Sequence, residues 1–217
     1  MNWNKQVQAA WQREIEQGSY DVVGVLKFNR GTAISSSTAE TLHSAYWHKL
    51  DRMLFGRAAD KGVCVERWCF VEGGEFGNNK HLHFVARAPF DTKLFCAVAA
   101  ATWTNLHRYT SSYNYSWITP VQHQEGVSSY NSKETWWLRD DMAGVRCSRR
   151  TAPGTDYYTF ENPAQAQRIL SRIGEEELIK ADEAVRRNSI KVSQSRQLRR
   201  ARQLRQRLVE LRGIQQA

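Results

Sequence analysis

The segment VEGGEFGNNKHLHFVARAP, residues 71–89, carries two of the chain's six histidines, His81 and His83, on either side of Leu82. In a strand, residues two apart point to the same face, so the two imidazoles stand side by side if this run is extended. Upstream, Glu72 closes another apolar run, VCVERWCFVE, just before the turn signal Gly73-Gly74. A hairpin return would set its carboxylate opposite the imidazoles. Two imidazoles and one carboxylate form a facial donor set that leaves positions on a divalent metal open to substrate oxygen. A polar sheet edge explains the same residues without a metal. Glu75, in the glycine-rich loop, competes with Glu72 for the third position, its other reading being a solvated turn carboxylate.

A second group lies in YNSKE, residues 130–134. Tyr130 and Lys133 are three apart and share a face if the segment is helical. A phenol with an ordinary pKa near 10 is a poor nucleophile unless a metal, a lysine or a base assists it. A lysine on the same face can steady a phenolate or a phosphate oxygen. Between the two groups, TWTNLHRYTSSYNYSW (102–117) interleaves Trp103, Tyr109, Tyr113, Tyr115 and Trp117 with His107 and Arg108. Aromatic platforms beside cations suit single-stranded DNA, whose bases stack on rings. Core packing accounts for any one of these aromatics equally well. Lys27 and Arg30 close the first apolar run, where they can reach backbone phosphates or simply be solvated.

The elements that must position these groups can be read in order. Trp3, Val7, Trp11 and Ile15 form one stripe of an amphipathic helix over 3–17. YDVVGVLKFNR (20–30) reads as a buried strand. Ser37 and Glu40 make a capping box for a helix reaching about Phe55. Strands follow over 63–73 and 81–89, paired as an antiparallel hairpin, with Pro89 ending the second. Asp91 is placed to cap a helix over 91–109. A further strand is expected over 115–124 and a short helix over 127–137. This order predicts an α+β fold with a central antiparallel sheet and flanking helices over residues 1–150. Residues 151–217 then form a linker and a basic amphipathic helical tail. In that tail Leu198, Ala201, Leu204, Leu208 and Leu211 run between arginines. It can bind DNA, pair with itself or with a host protein, or remain solvated.

Composition narrows the function classes. A net charge of +9 and a pI near 9.6 favour a polyanionic partner. No apolar run is long enough to cross a bilayer, and the first residues lack the plan of a signal peptide, so no membrane role is expected. Four cysteines without CxxC spacing read as reduced thiols.

Taken together, Glu72, His81-Leu82-His83 and YNSKE resemble, in order and approximate spacing, the HUH endonucleases. The likeness is to the rolling-circle replication initiators (Rep proteins) of small single-stranded DNA viruses, phages and plasmids. It covers roughly residues 20–140, with VLKFNRG (25–31) loosely matching the family's first motif. The resemblance implies a sheet of the RRM or ferredoxin-like type and Mg²⁺ or Mn²⁺ held by His81, His83 and Glu72. It also implies attack by Tyr130 on a phosphate of single-stranded DNA at an origin hairpin or loop, with Lys133 assisting. The products would be a 5′-phosphotyrosine and a free 3′-hydroxyl, which the same site can rejoin. Its DNA contacts would include Lys27, Arg30, Trp103, Arg108 and Tyr115. The chain lacks the GxxxxGK[ST] phosphate loop of a helicase, so a host helicase and polymerase are expected partners. The compartment would be the cytoplasm of a bacterial host or the nucleus of a eukaryotic one. A single-tyrosine HUH transposase, a two-histidine oxygenase and a non-catalytic basic DNA-binding protein are the alternatives.

Overall fold

Four short apolar runs become the strands β1 (Val22–Lys27), β2 (Arg67–Glu72), β3 (His81–Ala86) and β4 (Trp117–Pro120). The computed structural model describes residues 3–29, 34–72, 80–122 and 163–214. The strands form one sheet in the order β2-β3-β1-β4, with every neighbouring pair antiparallel. β1 and β3 are central, and β1, VVGVLK, is buried on both faces up to Lys27. A strand covered on both sides has no reason to alternate, which is why its sequence reads as a continuous apolar run. Around the sheet lie α1 (Trp3–Gln17), α2 (Ser36–Phe55), α3 (Thr92–Thr104), α4 (Pro163–Ile173) and α5 (Glu175–Ile214). The expected α+β arrangement, an antiparallel sheet with flanking helices, is present. Among the described residues no helix is long and apolar enough to cross a membrane.

The pleat sorts side chains into two layers. Leu26, Leu82, Phe84, Cys69 and Ile118 point to α2 and α3, where they meet Tyr46, Trp47, Leu50, Phe95 and Trp103. On the opposite face Val23, Phe70 and Val85 pack with Ile15 and Tyr20 and are flanked by Trp11, Trp68 and Trp117. The Trp11 ring stands edge-on to Trp68 at 5.1 Å and to Phe70 at 5.8 Å. So α1 uses the predicted Trp11–Ile15 stripe to cover this second face.

Local hydrogen bonds fix the element ends. Asp91 caps α3 as expected, its carboxylate accepting from the Leu94 amide at 2.8 Å. The cap of α2 is not the Ser37–Glu40 box but Ser35, whose extended backbone lets Oγ accept from the Thr38 amide at 3.1 Å. α3 stops at Thr104 rather than 109, because Asn105 turns back onto Ala101 O and the chain enters a loop. β2 begins at Arg67 rather than 63, since Asp51 of α2 engages the preceding residues. Its Oδ1 accepts from the Val65 amide at 3.0 Å, and its carboxylate pairs with the buried Arg67 guanidinium. That guanidinium also lies 4.3 Å from the Trp47 ring centroid. Trp47 Nε1 in turn donates to His43 Nε2 at 3.0 Å.

Residues 163–189, assigned from sequence to a linker and tail, pack on the sheet domain. Arg168 of α4 donates through Nε to Met53 O (3.1 Å) and through Nη2 to Leu54 O (3.0 Å), satisfying carbonyls at the end of α2. Ile169 is buried beneath it. α5 lies along α3 and β4, burying Ala181, Ala184 and Val185. Tyr113 Oη donates to Glu177 Oε1 at 2.6 Å and ties the helix to the α3–β4 loop. With 40 residues, α5 is about 60 Å long and extends well past this contact.

Candidate metal centre

The β2–β3 register pairs Glu72 with His81 and Phe70 with His83. Because β3 alternates, Leu82, Phe84 and Ala86 enter the helix-covered core while His81 and His83 face the other side with Glu72. One residue of slip would bury the imidazoles under α2, so the apolar pattern of β3 selects the register that assembles the site. The row continues onto β1, where Lys27 is the register partner of His81 and Val25 that of His83.

Glu72 Oε2 lies 2.9 Å from His81 Nε2 and 3.1 Å from His83 Nε2. The three donor atoms all fall within 4.8 Å of one another. The imidazole centroids are 4.8 Å apart. Glu72 and His83 are buried, whereas the His81 side chain keeps 12% of its surface exposed. The centre therefore opens to solvent on the His81 side.

A carboxylate with no water around it is costly unless a positive group or a proton donor meets it. Here both Nε2 atoms converge on a single carboxylate oxygen. Two donors bound at right angles, each about 2.1 Å from one divalent ion, are about 3 Å apart. The Glu72–His81 and Glu72–His83 separations match that spacing, so the donor set fits a divalent cation. A cation held this way would keep positions free on the exposed side for substrate oxygen.

The structure thus brings together Glu72, His81 and His83, with Lys27 beside them on the same face. Tyr130, Lys133, Arg30 and Glu75 lie outside the described residues. Arg108 is exposed and so is Tyr115, in the α3–β4 loop. Trp103 requires a correction. It is 1% exposed, packs against Tyr46 and Phe28, and donates through Nε1 to Lys27 O at 3.1 Å. A ring committed to the core on the helix side cannot stack on a base. Its effect on the site is indirect, through the backbone it anchors at Lys27.

Asn29 and Tyr109 were not singled out from sequence as a unit, yet they lie at the same end of the sheet. The Asn29 amide donates to Tyr109 O at 2.9 Å, and Phe28 and Thr110 form an antiparallel bridge. Their signal was available only in the general aromatic and basic character of 102–117. No protein-family model, curated protein or solved structure matches this chain.

Proposed function

We propose that the chain is a metal-assisted, single-tyrosine endonuclease of HUH type that nicks and rejoins single-stranded DNA to initiate rolling-circle replication. The observation that carries the reading is the convergence of Glu72 with His81 and His83 on one face of the sheet, open at His81. The element order β1-α2-β2-β3-α3-β4 and the strand order β2-β3-β1-β4 agree with the ferredoxin-like arrangement of that family. The excess of basic residues suits a DNA substrate.

In this mechanism Glu72, His81 and His83 would hold Mg²⁺ or Mn²⁺, and the bound ion would supply positive charge at the scissile phosphate. The Tyr130 hydroxyl loses its proton and its oxygen bonds to phosphorus. The P–O3′ bond breaks, the 3′ oxygen takes a proton, and the 5′ phosphate remains on tyrosine. Lys133 steadies the phenolate or the phosphate. Rejoining is the reverse attack by a 3′-hydroxyl and needs no nucleotide, because the phosphotyrosine ester preserves the linkage. Unwinding and synthesis fall to a host helicase and polymerase.

The test is a covalent-adduct assay with a library of labelled single-stranded oligonucleotides and Mn²⁺, read on a denaturing gel. The expected result is an adduct that disappears in Tyr130→Phe and in His81→Ala/His83→Ala. An adduct that persists in Tyr130→Phe, or the absence of any adduct across the library, overturns the reading.

A further inference from the structure

The α3–β4 loop holds a turn whose exposed groups have no structural task equal to their number. Thr110 Oγ1 donates to His107 O at 2.6 Å and accepts from the His107 amide at 3.3 Å, while the Tyr109 amide donates to His107 Nδ1 at 3.2 Å. These bonds set the His107 and Tyr109 rings 4.7 Å apart between centroids. The Arg108 guanidinium carbon lies 4.9 Å from the Tyr109 ring centroid, and its Nη2 donates to Tyr109 Oη at 3.0 Å. Asn29 clamps the turn to the end of β1, donating through Nδ2 to Arg108 O at 2.7 Å. His107 and Arg108 are exposed and Tyr109 is half-buried. No carboxylate of the described residues pairs with Arg108 or Lys27.

The turn is continuous with the metal centre. The Ser111 amide donates to Lys27 O at 3.1 Å, and Lys27 is the register partner of His81. Alternation about the Phe28–Thr110 bridge sends Phe28 and Thr110 to the helix side. It leaves Asn29, whose side chain holds the turn at Arg108 O, on the side of Lys27 and His81. Strand spacing and rise place the turn about 12 Å from His81.

We propose that Tyr109, Arg108 and His107 form a preformed subsite for one unpaired base and its adjoining phosphate of a single-stranded DNA. Tyr109 offers the stacking face, Arg108 the phosphate cation, and Lys27 the phosphate contact between this subsite and the metal centre. The choice of ligand follows from a ring and a guanidinium fixed together, from the absence of competing carboxylates among the described residues, and from continuity with the centre. It deepens the nuclease reading and rests on it for the identity of the strand.

Binding of a fluorescein-labelled single-stranded oligonucleotide to the full chain, followed by anisotropy in chelator, tests the subsite apart from cleavage. Tyr109→Ala is expected to weaken binding about tenfold, with Tyr109→Phe retaining it, because stacking uses the ring and not the hydroxyl. Arg108→Ala should reduce the slope of log affinity against log salt by about 0.7. A strand of the same length lacking bases should bind wild type more weakly and show no further loss with Tyr109→Ala. Unchanged affinity and salt slope in both alanine variants overturns the subsite, as does an equal Tyr109→Ala loss on the base-free strand or on a duplex. Should Tyr109→Ala fail to fold by circular dichroism, Arg108→Ala and the base-free strand on wild type decide. Nicking in Mn²⁺ is scored separately. Its absence with Tyr109-dependent binding intact overturns the nuclease reading alone, and its presence with no effect of either variant overturns the subsite alone.

Discussion

The ring of Phe84 occupies the space that a side chain at Gly24 would need. The two are register partners on β3 and β1, and a Cβ at residue 24 would overlap Cε1 and Cζ of Phe84. Phe84 is flanked by His83 and Val85, so its fit against β1 also sets how the His83 ring leaves the opposite face.

Gly24→Ala is therefore expected to destabilise the chain by about 1–3 kcal/mol through overpacking, although alanine is otherwise better than glycine in a strand. A urea titration reads this as a lower midpoint at unchanged slope. Adding Phe84→Leu to the alanine variant should recover part of the loss, a coupling expected only of residues in contact. A midpoint equal to wild type in Gly24→Ala would show that the ring has room to move.

Loading the metal centre should stabilise the fold. At a concentration about 100 times its Kd, an ion adds about 2.7 kcal/mol, which for a chain of this size raises Tm by roughly 5–11 °C. Mn²⁺ and Mg²⁺ titrations by scanning calorimetry measure it. Glu72→Gln and His83→Gln should each abolish most of the shift. A shift that survives both substitutions would place the ion elsewhere.

His43 makes stability depend on pH. Burial, and secondarily the charge of Arg67, lower its pKa from 6.5 to about 3. The neutral ring is the folded form, so its contribution is complete above pH 6.5 and is lost as pH falls from 6.5 toward 3. The full effect is on the order of a few kcal/mol. His43→Gln can still accept from Trp47 Nε1 but has no proton to gain. Its unfolding free energy should fall less steeply than wild type over this window, and parallel curves for the two proteins would rule the mechanism out.

Attachment of α5 should weaken in acid for a separate reason. Hydrogen bonds from Tyr113 and then Asn105 hold the Glu177 carboxyl below its usual 4.5. A depressed carboxyl contributes above its unfolded pKa and loses that contribution as pH drops below it. Amide-exchange protection over residues 177–185 should decrease on acidification. In Tyr113→Phe it should already be reduced at pH 7 and respond less to acid. Identical protection in the two proteins would mean that the buried Ala181, Ala184 and Val185 hold the helix unaided.

The site was more legible than the surface around it. His81, His83 and Glu72 could be aligned from strand periodicity and one turn signal, because a hairpin is local and its parity is fixed. Asp91 was readable as a cap for the same reason. Ser35 was not, since neighbouring serines differ only in which one is extended. Trp103 looked like a stacking ring because composition does not tell which face of a helix meets a sheet. The docking of α4 and α5 was hidden further still. Arg168 reads as a surface charge until carbonyls at Met53 and Leu54 are set beside it, and small apolar residues such as Ala181 leave little imprint on a charged helix.

All three residues of the candidate metal centre belong to the β2–β3 hairpin, which gives the centre a place in the order of folding. Joining β2 to β3 closes one short stretch of chain, whereas β1 and β4 must arrive from distant parts of the sequence. The donors can thus meet on the timescale of a hairpin, about 1–10 μs, before the central strand is inserted. An ion captured then would favour the partly formed sheet nearly as much as the finished one. Its main kinetic signature would be faster refolding, with little slowing of unfolding.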